Sequence, residues 1–201
     1  MHVRRATADD RAVSVRTAAR AFVGDPFIRH LLPDDDRYEA HAEAFFGLLF
    51  DVRLAGGDLW CTDDCAAVAQ WTPPGGNRRG DAWVDEQFDA VTGSLHELTY
   101  ERMEALDALL APGWPAEPHW YLGVLATDPG APGRGLGSAV LAPGLARADA
   151  DGLAAYLVTA TEANVAFYRR RGFGVYVEVD LPDGPHVWML ERRPSAPPDA
   201  T

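Results

Sequence analysis

The sequence predicts a single α/β (α+β) domain, and three observations carry that reading. The first is an apolar run, Leu122 to Ala126, stopped by Asp128-Pro129. A proline- and glycine-rich turn follows, then helical spacing at Ala139, Val140, Leu141 and Leu145. A run that short reads as a buried strand, so the stretch is strand, turn, helix. The second is a pair of hairpin patterns. Leu59 to Thr62 and Ala66 to Thr72 meet over Asp63-Asp64, and Phe173 to Val179 and His186 to Leu190 meet over Pro182-Asp183-Gly184. The third is size: 201 residues, 47% of them hydrophobic, suit one domain with a full core. Residues 1–193 are expected to form it, and 194–201, made of Pro, Ser, Ala, Asp and Thr, to be a disordered tail.

Taken in order, Val3 to Ala6 is a short strand. Thr7-Ala8-Asp9-Asp10 starts a helix, with a side-chain acceptor at the cap and acids in the first turn. Val13, Val15, Ala18, Ala19 and Phe22 carry it to Gly24. Asp25-Pro26-Phe27 breaks that helix, and Ile28, Leu31 and Leu32 form a small apolar cluster before Pro33. Asp34-Asp35-Asp36 cap and solvate a helix from about Arg37 to Leu54, whose Ala44, Phe45, Leu48, Leu49 and Val52 face inward and which Gly56-Gly57 ends. After the first hairpin, Pro73-Pro74-Gly75-Gly76-Asn77 with Arg78 and Arg79 is a candidate mobile loop. Trp83 to Leu110 reads as one or two helices broken near Thr92-Gly93-Ser94, either a wall over a cleft or plain packing. Pro112 to Pro118 connects to the central strand. Beyond the glycine turn, Ala154 to Thr161 is a strand and Glu162 to Arg171 a short helix closed by Gly172.

Composition excludes several functions. A formal charge of −12 argues against nucleic-acid binding. There is no basic segment leading into an apolar signal core and no 18-residue apolar run, so a soluble cytoplasmic protein without a membrane partner is expected. Cys61 and Cys65 are the two cysteines, with no histidine pair nearby to complete a zinc site. They are expected as free thiols on or beside one hairpin, without metal or disulfide. Asp34, Asp35 and Asp36 cannot all point one way, so they make no metal site either.

The glycine turn carries the first chemical signal. Glycines let an anion approach the backbone closely, and the first N–H groups of the following helix have no intrahelical partner. A Walker loop would need Lys-Ser or Lys-Thr after the last glycine, and Leu136 and Ser138 stand there instead. A dinucleotide fingerprint would need a third glycine three residues after the second. Gly133-Arg134-Gly135-Leu136-Gly137, after a strand ending in Asp128-Pro129, instead resembles the acyl-CoA signature of the GNAT superfamily of N-acetyltransferases. One departure is Pro132, where the family has Gln or Arg; proline brings neither a side-chain donor nor an N–H.

A second segment, Leu157-Val158-Thr159-Ala160-Thr161-Glu162-Ala163-Asn164-Val165-Ala166-Phe167-Tyr168, followed by Gly172-Phe173, is similar to the family's next strand and helix. Asn164 and Tyr168 are four apart and share a helix face. Arg169-Arg170-Arg171 complements the helix dipole, with contact to cosubstrate phosphates as the sharper alternative. Within the superfamily, Ala66 to Thr72, Gly135 to Val140 and Asp183-Gly184-Pro185 are similar to small-molecule enzymes of the puromycin N-acetyltransferase type.

The resemblance implies a GNAT fold: a central mixed, mostly antiparallel sheet of six to seven strands flanked by helices. It implies acetyl-CoA as cosubstrate, bound by Leu125, Ala126, Thr127, Gly133, Arg134, Gly135, Leu136, Gly137, Ser138, Asn164, Phe167 and Tyr168. The reaction it implies is direct transfer to a small-molecule amine, such as an antibiotic, with a backbone N–H near Leu125 polarising the thioester and Tyr168 protonating the leaving sulfur. A tyrosine of ordinary pKa near 10 keeps its proton at neutral pH for that purpose. Some family members carry a glutamate base on the central strand; here Tyr121 takes that position. His119, Glu97 and Asp25 are alternative bases, and Asp25, Phe27 and Tyr121 are expected to line the acceptor pocket. A monomer or homodimer is expected. A protein or peptide N-acetyltransferase, or a non-catalytic acyl-CoA-binding module, are the competing readings.

Overall fold

The structure, a computed structural model, describes residues 2–76 and 80–195. Seven strands form one sheet: β1 (Val3–Arg5), β2 (Asp58–Thr62), β3 (Ala67–Thr72), β4 (Trp120–Thr127), β5 (Ala155–Thr159), β6 (Gly174–Asp180) and β7 (His186–Arg192). Their spatial order is β1-β2-β3-β4-β5-β7-β6. All neighbours are antiparallel except β4 and β5. That parallel pair needs a crossover, and the helix after the glycine turn, α6 (Leu136–Asp151), supplies it. The expected mixed, mostly antiparallel sheet is the one observed.

Helices cover both faces. On one side lie α1 (Arg11–Ala21), α2 (Pro26–Leu31) and α3 (Tyr38–Gly56), followed along the chain by α4 (Ala82–Thr92) and α5 (Glu97–Leu110). On the other lie α6 and α7 (Glu162–Arg169). All six residues of β3 are buried because alternate side chains enter different cores. Val68 joins Phe45, Phe46 and Leu31, while Ala69 and Trp71 join Val140, Leu141 and Tyr168. A Cβ on Gly144 of α6 would fall 2.2 Å from Trp71 Nε1, so the helix lies against that indole only because the position is glycine. Among the described residues no helix is long and apolar enough to cross a membrane.

Several elements differ from the sequence reading for identifiable reasons. The first helix opens with a 3-10 turn, Ala8–Asp10, and ends at Ala21 rather than Gly24. Asp25-Pro26 does break the chain, but it also starts a new helix. The Asp25 carboxylate accepts from Phe27 N and Ile28 N at 3.0 Å each, and proline is tolerated at the first helical position. The 83–110 region is two helices, separated at Gly93–His96. The chain is still ordered at Ser195, whose N–H donates to Asp149 Oδ1 at 2.7 Å; the rest of the expected tail, 196–201, lies outside the described residues. So do Asn77, Arg78 and Arg79 of the expected mobile loop.

One irregularity positions everything that follows. Gln70 pairs Val124 and Trp71 pairs Leu122, leaving Gly123 as a bulge in β4. Pairing of β4 with β5 runs from Trp120↔Ala155 to Leu122↔Leu157 and stops there. Both strands continue, to Thr127 and Thr159, but they part and leave a wedge between them.

Candidate active site

The wedge opens into a cavity of about 900 Å³ that runs from the glycine turn to the α4–α5 helices. Main-chain geometry equips its β4 edge. Asp128 N–H donates to Ala66 O of the neighbouring hairpin at 2.7 Å. Alternation along a strand therefore turns the N–H groups of Leu125 and Thr127 to the opposite edge, into the wedge where β5 no longer pairs. Leu125 and Thr127 line the cavity. Ala126 does not: it is 2% exposed and packs in the α1–α3 core, so its side chain is on the wrong face for the cosubstrate role expected of it. Its main-chain N–H points to β3, in register with Val68.

The turn after β4 is built for an anion. Asp128 Oδ1 accepts from Gly130 N at 2.8 Å and holds the bend. Gly133 and Gly135 have φ of +72° and +70°, left-handed values that a side chain would strain. Gly135 is also the N-cap of α6, and the first intrahelical bond recorded there is Ala139 N to Gly135 O. The N–H groups of Leu136, Gly137 and Ser138 thus belong to the unbonded first turn, and all three residues line the cavity with Gly133, Arg134 and Gly135. A Cβ on Gly137 would come within 3.2 Å of Thr127 Oγ1, so glycine lets the helix start close to the strand end. These features fit a pyrophosphate-bearing cosubstrate.

Helix α7 supplies the other wall. Thr161 caps it, its hydroxyl accepting from Asn164 N at 3.2 Å. Asn164 Nδ2 donates to Thr159 Oγ1 at 3.0 Å, which fixes the amide at the end of β5. One turn on, Tyr168 is 8% exposed, its ring set edge-on to Phe167 and Phe173 at 5.1 and 5.6 Å. Asn164, Phe167 and Tyr168 all border the cavity. Burial pushes the Tyr168 hydroxyl well above its ordinary pKa, against the smaller opposing effect of Arg171. Arg171 itself lies 3.4 Å over the Phe167 ring, donates to Phe167 O at 2.6 Å and reaches Ser138 Oγ. It ties the end of α7 to the first turn of α6, beside the N–H groups that have no intrahelical partner.

The acceptor half of the cavity is apolar with a few polar groups. Phe27 of α2, Phe45 and Phe46 of α3, Val84 and Phe88 of α4, and Met103 and Leu106 of α5 form its walls. Asp25, Tyr121 and His119 also line it, whereas Glu97 is exposed at the start of α5 and lies outside. Both main-chain bonds to Asp25 fall on Oδ1, and burial raises its carboxyl pKa against the lowering effect of those bonds. His119 Nδ1 is 2.8 Å from Glu117 O, and its ring stacks on Trp114. Tyr121 is raised by burial, with Arg53 pulling the other way.

Arg53 and Asp107 escaped the sequence reading, and of its two alternatives for the 83–110 helices the cavity lining has the wall. For Arg53 a signal existed: a cation four residues after Leu49, on the inward stripe of an apolar helix. Cys61 and Cys65 are free, as expected, and buried. Together with Asp10 they put three ligand-type atoms within 4.8 Å of one another. The Asp10 carboxylate, however, is held by Arg4 through two bonds of 2.7 Å, and none of the three residues lines the cavity.

Known structures share this architecture. One, a histone acetyltransferase HPA2 and related acetyltransferase from Corynebacterium glutamicum, is 26% identical, with a TM-score of 0.71 and 97% of each chain covered. Arylalkylamine N-acetyltransferase 2 from Aedes aegypti is 12% identical, with a TM-score of 0.58, covering 96% of this chain and 99% of its own. The ribosomal-protein-S18-alanine N-acetyltransferase from Escherichia coli is 13% identical, with a TM-score of 0.54, covering 100% and 97%. The last two show the fold alone. Residues 70–173, which hold the bulged strand, the glycine turn and the Asn164–Tyr168 helix, match the Acetyltransferase (GNAT) family, whose members use acetyl-CoA as cosubstrate, and the chain belongs to that family.

Proposed function

We propose that this acetyltransferase moves the acetyl group of acetyl-CoA directly to the amine of a small molecule, an antibiotic being one candidate acceptor. The observation that carries the reading is the continuity of the cavity. The wedge between β4 and β5 leads past Tyr168 into a largely apolar chamber walled by α4 and α5, of a volume that suits a small molecule.

In this reading the unpaired edge of β4 holds the pantetheine arm, and the first turn of α6 with Arg134 and Arg171 holds the phosphates. The Leu125 N–H polarises the thioester carbonyl. The acceptor nitrogen forms a bond to the acetyl carbon as the carbon–sulfur bond breaks. Tyr168, kept neutral by burial, gives its proton to the departing sulfur. The amine loses its own proton to Asp25, directly or through water; the raised pKa of Asp25 makes it a better base than a solvated carboxylate.

Mass spectrometry of acetyl-CoA reactions with puromycin, aminoglycosides, polyamines, amino acids and peptides tests this. The expected result is an enzyme-dependent acetylated small molecule whose yield collapses in Tyr168→Phe. Acetylation of peptides alone would replace the small-molecule reading with the protein-directed one. Thermal protection by acetyl-CoA without any product would leave a binding module.

A further inference from the structure

Arg53 is a cation of the acceptor chamber, which it shares with the carboxylates of Asp25 and Asp107, and the transfer chemistry does not use it. It belongs to α3, is 9% exposed, and lines the cavity. Its recorded hydrogen bond is from Nη1 to Leu49 O at 3.3 Å, a carbonyl of its own helix. Nε is buried with no partner, and among the described residues no carboxylate forms an ion pair with the guanidinium, on which Tyr121 is the acting charge. A buried cation without a counter-charge is costly, and the burial lowers the pKa of this one. The chain nonetheless makes room for it. A Cβ on Gly123 would fall 1.9 Å from Arg53 Nη2, so the guanidinium occupies the space that a side chain at the β4 bulge would fill. A fork of N–H donors set in an apolar chamber is suited to a carboxylate.

Position sets the size of the partner. Gly123 and Leu125 are two residues apart on β4, about 7 Å at a rise near 3.3 Å per residue. The guanidinium and the N–H that would face the thioester are thus close enough for one small acceptor to reach both, its carboxylate near its reacting amine as in an amino acid. The walls beside it, Phe27, Phe88, Met103 and Leu106, are apolar.

We propose that Arg53 anchors the acceptor by its carboxylate, so that the substrate is an apolar amino acid with its amine near the acid group. This rests on the small-molecule transferase reading for the reaction but not for the binding, and the test separates the two. Thermal unfolding is followed with phenylacetate, 3-phenylpropionate and the neutral phenylacetamide as probes, on wild type, Arg53→Lys and Arg53→Met. Near ten times Kd, the carboxylates are expected to raise Tm of wild type by roughly 3–5 °C, to raise that of Arg53→Lys less, and to leave Arg53→Met unmoved. The amide is expected to treat all three alike.

In acetylation assays with CoA present as acetyl-CoA, wild type is expected to prefer phenylalanine or leucine over the matching amine lacking the carboxylate. That preference, as a ratio of kcat/KM, is expected to fall at least tenfold in Arg53→Met. Carboxylates that stabilise no protein, or stabilise it no more than the amide does, would overturn the anchor; so would a preference untouched by the substitution. Should Arg53→Met not fold, the carboxylate–amide contrast on wild type and Arg53→Lys decides. Stabilisation by carboxylates with no amine acetylated would keep the anchor and sink the transferase reading instead.

Discussion

Tyr168 and Asp25 face the same cavity, and burial moves both of their pKa values upward, yet the consequences are opposite. For the tyrosine the shift prolongs the protonated, proton-donating form. For the aspartate it delays the ionised, proton-accepting form. With Tyr168 as the proposed acid, Tyr168→Phe is expected to lower kcat by roughly 100-fold, with KM for acetyl-CoA nearly unchanged, because that role acts on the leaving sulfur and not on binding. Asp25→Asn keeps a good helix cap but removes the proposed base, so steady-state kinetics should show a large loss of kcat and of the acid limb of the pH profile. Linkage adds a stability test. A folded pKa above the ordinary 3.8 means that the folded state holds this proton more tightly than the unfolded state does. The associated stability is complete below 3.8 and is lost as pH rises through the folded value. Asp25→Asn is accordingly expected to be at least as stable as wild type at pH 7, with less of the wild-type loss between acid and neutral pH in a Tm series. Tyr168 and Asn164 were legible in the sequence because their relation is local, four residues on one helix. Arg53 was not, because its meaning depends on Gly123, on a strand that only the fold brings beside it.

Elements explain which boundaries could be read. The glycine turn declared itself because left-handed backbone at Gly133 and Gly135 favours glycine, and several glycines fall together there. The short helix α2 did not, because Asp-Pro is the same signature for a break and for a capped start, and only the two bonds to Asp25 Oδ1 decide between them. Ala126 shows the limit of naming a strand as a binding element: every second side chain faces away from the site. The α6 start gives two separable expectations. Gly135→Ala forces a side chain into a left-handed conformation costing about 1–2 kcal/mol, so KM for acetyl-CoA should rise about tenfold with a smaller change in kcat. Arg171→Ala unties α7 from Ser138 and removes a cation beside the first turn. It should also raise that KM, and the difference from wild type should shrink as salt is added, which Gly135→Ala should not show.

At the scale of the whole molecule, hairpin spacing and the strand–turn–helix unit made a mixed sheet readable from sequence, whereas the burial of both faces of β3, Gln70 and Thr72 included, follows from its central place with helices on either side. What could not be read is the wedge, because it is a failure of pairing: β4 and β5 have sequence enough to continue their ladder, and the bulge at Gly123 separates them. A sheet divided this way is a sheet missing a partner on one edge. Acetyl-CoA, seated there, would give the Leu125 and Thr127 N–H groups acceptors and link the halves carried by α1–α5 and by α6–α7. Hydrogen exchange followed by mass spectrometry or NMR can see this. Without cosubstrate, the Leu125 and Thr127 amides should exchange faster than those of Val124 and Ala126, which point to β3. With acetyl-CoA at 100 times Kd, protection at Leu125 and Thr127 should rise, and the whole protein should gain about 2.7 kcal/mol of stability. Protection that rises only around α6, with the β4 amides unchanged, would mean that the phosphates dock on the helix while the pantetheine arm takes another path.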